Sequence, residues 1–323
     1  MDTAYKRASV LLSASGRLSY SIAVCLLQAG HSVTLVTEGV AEARDGIGEH
    51  LLDSSNEGLK KVGWDHLEIK TEFDYNPRRQ LAIAITGEDL CEKKEVIRKL
   101  EDHISATSLI AINTESIPLS ILQQDCDYPE RLIGLNWSEP AHTSFFLEII
   151  TNENTNKRLP RDLFRLARTS WNKDPYLVCS DLSIRAKMFS AMVREAFFLV
   201  QNGYASIEDI DRACRNDAGY YLPFSGNFRY MDLMGVYAYG LVMKDLNPEL
   251  SKEASLPDFF KELIRRGGVG MENQEGFYEY EVGDAEHWDK QFREFSFQIR
   301  EIIQKYPFTY LEGQGSNNKT SLH

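Results

Sequence analysis

The sequence predicts an α/β amino-terminal domain of Rossmann-like type, a doubly wound and mostly parallel sheet, followed by an all-α carboxy-terminal domain. Two observations carry this. Short apolar, β-branched runs alternate with helical patterns as far as residue 181, which is the signature of strands joined by crossover helices. Beyond that point the strand-like runs stop while helical spacing continues. A chain of 323 residues is long enough for two domains with cores of their own. The expected divisions are 1–182, 183–282, and a helical extension with a flexible tail over 283–323.

Residues 9–13 (SVLLS) suit a buried strand, residues 18–29 repeat apolar positions at helical spacing and stop at Gly30, and residues 31–37 (HSVTLVT) are again strand-like. Residues 81–86 (LAIAIT), 108–113 (SLIAIN) and 132–135 add buried-strand candidates, with a helical pattern over 90–104. Past residue 181, Ile184, Met188, Met192, Ala196 and Val200 share one face of a helix over 184–202. Ser206 and Asp209 form a capping-box-like start for a helix over 207–215, and Pro257 opens another that ends at Gly267 and Gly268. A last helical pattern aligns Trp288, Phe292, Phe295, Ile299 and Ile302, a stripe that either packs on its own domain or forms a partner-facing seam.

A formal net charge of -12 sets the surface against phosphate backbones and anionic lipid, so neither nucleic acid nor membrane is expected as a partner. The five cysteines, at 25, 91, 126, 179 and 214, are scattered and odd in number, which points to reduced thiols in a cytoplasmic protein rather than to disulfides or a metal site. No stretch reaches the 18 or so apolar residues of a membrane span.

Between the first strand and the first helix runs Ala14-Ser15-Gly16-Arg17-Leu18-Ser19, where G-x-G-x-x-G would cradle a dinucleotide on a helix amino terminus. Only the middle glycine, Gly16, is kept. Ala14 and Ser19 are small enough for close packing, Ala14 would be strained if the turn needs a left-handed residue there, and Arg17 is placed either to clamp a phosphate or to block it. The second strand should end in an acid that bonds a ribose hydroxyl; Thr37 holds that place, with Glu38 next, a pair that suits NAD better than NADP. The turn alone fits a weakened NAD cradle or a strand–turn–helix with no cofactor.

Four stretches widen the comparison. Residues 13–23 are similar to V-I-G-A-G-x-M-G-x-x-I-A, and Asn113-Thr114-Glu115-Ser116 to N-T-S-S. Residues 131–140 (RLIGLNWSEP) with Phe146-Leu147-Glu148 are similar to R-x-x-G-L-H-F-F-N-P with its Leu-Val-Glu segment. Gly226-Asn227-Phe228, Asp232, Gly235 and residues 270–280 are similar to G-P-F, D-x-x-G and T-G-x-G-F-Y. In this order the chain resembles the L-3-hydroxyacyl-CoA dehydrogenase family over nearly all of residues 8–281.

The resemblance implies the fold above, NAD as cofactor, hydride transfer from the hydroxyl carbon of a 3-hydroxyacyl thioester or related hydroxy acid, and a homodimer formed through the helical domain. It places Asn136 on the catalytic histidine and Glu148 on the glutamate that orients it. Glu115 falls on the motif's serine and Ala186 on an asparagine at the start of the second domain. Glu88 and Lys93 resemble the family's E-N-L-x-x-K beside the nicotinamide ribose, with Asn113 next to them at the cofactor. An amide takes no proton near pH 7, and loss of a general base typically removes about 10²- to 10⁴-fold in rate. The expectation is therefore impaired or altered activity, with a catalytically inactive dimeric binding or scaffold protein as the alternative. Glu115 is the candidate replacement base, His142 is expected as an exposed loop histidine, and Glu148 is expected to remain structural or to pair with Lys187 or Arg185. Residues 40–80 are shorter than the family's CoA-holding arm, with few cations (Lys60, Lys61, Lys70, Arg78, Arg79), so CoA is not expected to be held well.

Overall fold

In the computed structural model, residues 7–59 and 62–308 are described; Lys60, Lys61 and the terminal GQGSNNKTS stretch lie outside them. The chain divides into two units, 1–190 and 191–323. The first unit contains strands β1 (Ser9–Ser13), β2 (Ser32–Val36), β3 (Leu67–Lys70), β4 (Arg79–Ala84), β5 (Leu109–Ile112), β6 (Leu132–Trp137), β7 (Leu147–Ile150) and β8 (Tyr176–Val178). Its helices are α1 (Arg17–Gln28), α2 (Val40–Asn56), α3 (Leu90–His103), α4 (Leu119–Gln123) and α5 (Leu159–Ser170), and α6 (Ile184–Gln201) leads into the second unit.

The eight strands form one sheet in the order β3-β2-β1-β4-β5-β6-β7-β8. All neighbours run parallel except β6 and β7. Chain direction along the sheet reverses at β1 and β4, which makes the crevice beyond their carboxyl ends the topological switch point where such folds bind ligands. The alternation of side chains along β1 explains why its sequence is apolar throughout: Val10 and Leu12 join the core under α1, α2 and α5, while Leu11 joins the core under α3 and α4. The sequence reading anticipates five of these strands. β3 and β7 interrupt their short apolar runs with Glu68 and Glu148, and β8 carries only three residues, so none of the three gives a clear strand signal.

His31 ties the start of β1 to the end of α5, with Ala8 N 3.0 Å from Nδ1 and Trp171 Nε1 2.8 Å from Nε2. A neutral imidazole accepts at only one nitrogen, so the two donors compete for it. Burial pushes its pKa down to about 4. His142, expected as an exposed loop residue, is instead buried, its ring 4.9 Å from that of His50 on α2. The outer side of α5 exposes Arg161, Arg165 and Arg168, with Lys157 and Arg158 just before it, a local cationic face that the acidic overall charge conceals.

The second unit contains α7 (Ile207–Ala213), α8 (Gly219–Met234), α9 (Val236–Leu246), α10 (Asp258–Arg265) and α11 (Asp284–Lys305). The capping box at α7 is complete: Ser206 Oγ accepts from Asp209 N at 3.1 Å, and Asp209 Oδ2 accepts from Ser206 N at 3.3 Å. Among its described residues Phe297 is the single buried hydrophobic side chain. The aromatic stripe of α11 is only half covered within its own domain, although the helix lies against α8: Trp288, Phe292, Phe295 and Ile302 are 53, 48, 52 and 47% exposed. No helix among the described residues is long and apolar enough to cross a membrane, and no group of three or more His, Cys, Asp or Glu is placed to hold a metal ion.

Candidate active site

The motif residues of the first unit collect at the carboxyl ends of the parallel strands. Gly16 follows β1, Thr37 and Glu38 follow β2, Thr86 to Glu88 follow β4, Asn113 to Glu115 follow β5, and Asn136 lies in β6. Gly16 is the residue before α1 and has φ +83, a conformation that disfavours any side chain, and a Cβ built there meets nothing within 4 Å. The turn is thus open above the first N–H groups of α1. Ala14 is not in the left-handed region; it is buried, and its N–H donates to Val36 O at 3.1 Å. The strain anticipated at Ala14 is absent because Gly16 alone carries the positive φ. Arg17 is exposed and its Nε lies 3.5 Å from Glu139 Oε1 in the β6–β7 loop. Leu18 packs partly against the core, and the Ser19 hydroxyl donates to Gly16 O at 2.6 Å. Thr37 is buried with its Oγ1 3.0 Å from Ser15 Oγ, whereas Glu38 is exposed at the end of β2.

Glu88 and Lys93 support the next loop. Glu88 Oε1 accepts from the backbone N–H groups of Glu115 (2.9 Å), Ser116 (2.7 Å) and Ile117 (3.1 Å), while its Oε2 is 3.2 Å from Lys93 Nζ. Burial opposes the Glu88 charge, but the Ser116 and Ile117 N–H groups and Lys93 outweigh it, holding the carboxyl below its ordinary range. Lys93 is fully buried and also donates to Asn113 O at 2.7 Å and Thr86 Oγ1 at 3.0 Å; burial lowers its pKa, and Glu88 offsets part of that. Asn113 locks β5 to the end of β4, its Oδ1 accepting from Thr86 N and its Nδ2 donating to Thr86 O, both at 2.9 Å.

Asn136 repeats that device one strand further. Its Oδ1 accepts from Thr114 N and its Nδ2 donates to Thr114 O, both at 2.8 Å, and Nδ2 also donates to Glu148 Oε2 at 2.9 Å. The antiparallel register explains the twelve-residue spacing, because Asn136 faces Glu148 directly across β6 and β7. Close approach of the strands also requires Gly134, where a Cβ would lie 2.8 Å from Ile150 Cβ. Asn136 is 1% exposed, and three of its four hydrogen-bonding positions are occupied.

Glu148 has no exposure and accepts five hydrogen bonds. Oε2 takes Asn136 Nδ2 and Ser183 Oγ (2.6 Å); Oε1 takes Tyr176 Oη (3.1 Å), Ile184 N (2.8 Å) and Arg185 N (3.2 Å). Burial, then the Glu148 charge, push the Tyr176 pKa up, so its hydroxyl stays a donor. The expected pairing of Glu148 with the Lys187 or Arg185 side chain is not observed: backbone N–H groups of the first turn of α6 take its place. Such orphan donors at a helix start attract an anion. Ser183 supplies the cap itself, accepting from Ala186 N at 3.0 Å. The Arg185 guanidinium turns to Glu115 Oε1, with its Nη1 donating to Trp137 O at 3.0 Å. Tyr176 and Ser183 escape the sequence reading; a serine directly before a helical pattern was the available signal for Ser183.

Residues 11–182 match the NAD-binding domain of 3-hydroxyacyl-CoA dehydrogenase, and residues 184–280 match its C-terminal domain. The chain belongs to the 3-hydroxyacyl-CoA dehydrogenase family. Its first domain is the family's NAD-binding domain. Among relatives, 5-formyl-3-hydroxy-2-methylpyridine 4-carboxylate 5-dehydrogenase of Mesorhizobium japonicum is 27% identical over 237 residues, covering 72% of this chain and 76% of that protein. A 3-hydroxybutyryl-CoA dehydrogenase of Clostridioides difficile is 26% identical over 218 residues, covering 67 and 76%. A crystal structure of a 5-formyl-3-hydroxy-2-methylpyridine 4-carboxylic acid 5-dehydrogenase, described as an NAD+-dependent dismutase, shares the fold with TM-score 0.82 at 23% identity, over 92% of this chain and 99% of that one. The family's motif positions in this chain hold Asn136, Glu115 and Ala186 where the resemblance expects histidine, serine and asparagine.

Proposed function

We propose that this protein binds NAD(H) at the switch point but lacks the family's ordinary histidine-based oxidation of a 3-hydroxyacyl thioester, so that any redox activity is altered. One observation carries this reading: the side chain at the base position is Asn136, buried and bonded to Thr114 and Glu148, with no titrating atom to receive the hydroxyl proton. Glu115, the candidate replacement base, is engaged by the Arg185 guanidinium instead of being left open for a substrate hydroxyl. Bound NAD supplies the hydride acceptor. For the cofactor, the open Gly16 turn would hold the pyrophosphate, with Arg17, Leu18 and Ser19 at the helix start and Ala14 packed behind. Glu38 takes over from Thr37 as the partner of a ribose hydroxyl, and the loop set by Glu88, Lys93 and Asn113 borders the nicotinamide side.

An NADH titration, followed by quenching of the four tryptophans and transfer to the nicotinamide, checks the cofactor half of the reading. Saturable binding is expected, and no binding up to about millimolar, roughly −4 kcal/mol, contradicts it.

A second reading, a dimeric binding or scaffold protein, draws on the helical unit. A unit whose described residues bury only Phe297 among their hydrophobic side chains leaves much apolar surface uncovered, even with Phe197 set among Phe259, Phe260 and Phe277. We propose a homodimer in which a second copy covers Met192, Phe228 and Tyr237, which are 49, 82 and 79% exposed. Sedimentation at twice the 36.9 kDa chain mass is expected, and a monomer at micromolar concentration contradicts it. The five cysteines, none of them disulfide-bonded among the described residues, are in keeping with a cytoplasmic protein.

A further inference from the structure

Three buried or half-buried arginines sit in the first unit, and they differ in a way that points to a ligand. Arg79 and Arg131 are sealed, their side chains 1 and 4% exposed. Arg131 lies at the start of β6, where it donates to Ser105 O at 2.7 Å and meets the equally buried Glu101. These are structural cations. Arg185 lies at the opposite, carboxyl edge of the sheet, beside the last residues of β6, and it is fixed on one side and open on the other. Its backbone N–H is held by Glu148 Oε1, its Nη1 donates to Trp137 O at 3.0 Å and approaches Ser138 Oγ at 3.5 Å, and its guanidinium carbon lies 4.9 Å from the centre of the Phe146 ring. The remaining edge presents Nη2 to Glu115 Oε1, and both side chains of this pair stay about one-third exposed, at 35 and 32%.

We propose that Arg185 is the anchor for a carboxylate of the substrate, and that Glu115 occupies this anchor when no substrate is bound. The proposal rests on the reading of the site as an altered oxidoreductase and narrows its substrate class to small hydroxy acids with a free carboxylate. A guanidinium oriented by a carbonyl and an aromatic ring offers a planar fork that matches a carboxylate. The place is already filled by a carboxylate from the chain itself, so a substrate acid replaces like with like and leaves the charge on Arg185 balanced. An ion pair this open to water contributes at most about 1 kcal/mol, so it does not lock the anchor. Glu115 stands on a loop held through its own backbone N–H by Glu88, so its side chain can leave Arg185 without disturbing that loop. A neutral thioester cannot make this exchange, which separates the anchor from a site for acyl-CoA.

The test uses the full chain and malonate as the probe, with the uncharged malonamide as control, by calorimetric titration with and without NADH. Glu115→Gln removes the internal competitor and is expected to tighten malonate binding roughly three- to fivefold, the factor that an exposed pair of up to about 1 kcal/mol corresponds to. Arg185→Gln is expected to abolish binding and Arg185→Lys to weaken it, because a lysine keeps the charge and loses the fork. Malonate bound equally by wild type and Arg185→Gln, no tightening in Glu115→Gln, or equal binding of malonamide or inorganic phosphate would each overturn the proposal. Arg185→Lys guards against a folding defect in Arg185→Gln, and melting curves of all variants accompany the titrations. Failure of NADH to bind while malonate binding persists would sink the redox reading and leave the anchor standing.

Discussion

Glu148→Gln is expected to destabilise the protein by about 3–5 kcal/mol, because it unmakes a buried charge on which five donors converge. An amide cannot replace that carboxylate. Its oxygen serves one set of donors, and its NH2 group is then driven against the other. If the NH2 faces Oε1's partners, it meets the backbone N–H groups of Ile184 and Arg185, which cannot rotate away. If it faces Oε2's partners, it meets Asn136 Nδ2, itself fixed by Thr114. Either way the first turn of α6 loses its anion or β6 loses its tie to β7. For a unit of this size about 4 kcal/mol lowers Tm by roughly 10 °C. A melting curve of Glu148→Gln within about 2 °C of wild type would mean that Glu148 does not anchor α6.

Acid weakens the fold through His31. Its pKa falls from an ordinary 6.5 to about 4 in the folded protein, so the unfolded chain takes up the proton first. Stability is therefore flat above about pH 6.5 and declines as pH falls toward 4, by a total on the order of 3 kcal/mol. Thermal melts at pH 7.5 and 4.5 should show this loss in wild type and a smaller one in His31→Gln, whose amide does not titrate. An identical acid shift in the two proteins would place the sensitivity elsewhere.

The substitution at Asn136 is legible in the sequence because four members of the surrounding motif, Arg131, Gly134, Leu135 and Pro140, keep their places, while Trp137, Ser138 and Glu139 do not. Each of the first two has a visible physical reason: Arg131 bridges Glu101 and Ser105 O, and Gly134 lets β6 approach Ile150 and Thr114. Spacing alone gives no hint that Asn136 is bonded to Thr114, since that pairing depends on where β5 ends beside β6. Nor could it assign the partner of Arg185. One turn of helix offers both a guanidinium and backbone N–H groups, and only the placement of Glu148 opposite Asn136 decides that it takes the N–H groups and leaves the guanidinium to Glu115. The α11 stripe was legible as a periodic feature, but periodicity is the same for a face packed on its own domain and for one left exposed.

A single-turnover experiment with NAD+ and 3-hydroxybutyryl-CoA, on protein first shown to bind NADH, decides whether this site oxidises a thioester. No NADH is expected on the timescale of ordinary enzymes, about 1 to 10³ per second, and no recovery is expected in Asn136→His alone, since Glu115 and Ala186 still stand where the resemblance expects serine and asparagine. NADH formed by the wild-type protein at such rates would show that the site oxidises the thioester without a histidine, and that Asn136 leaves the family reaction intact.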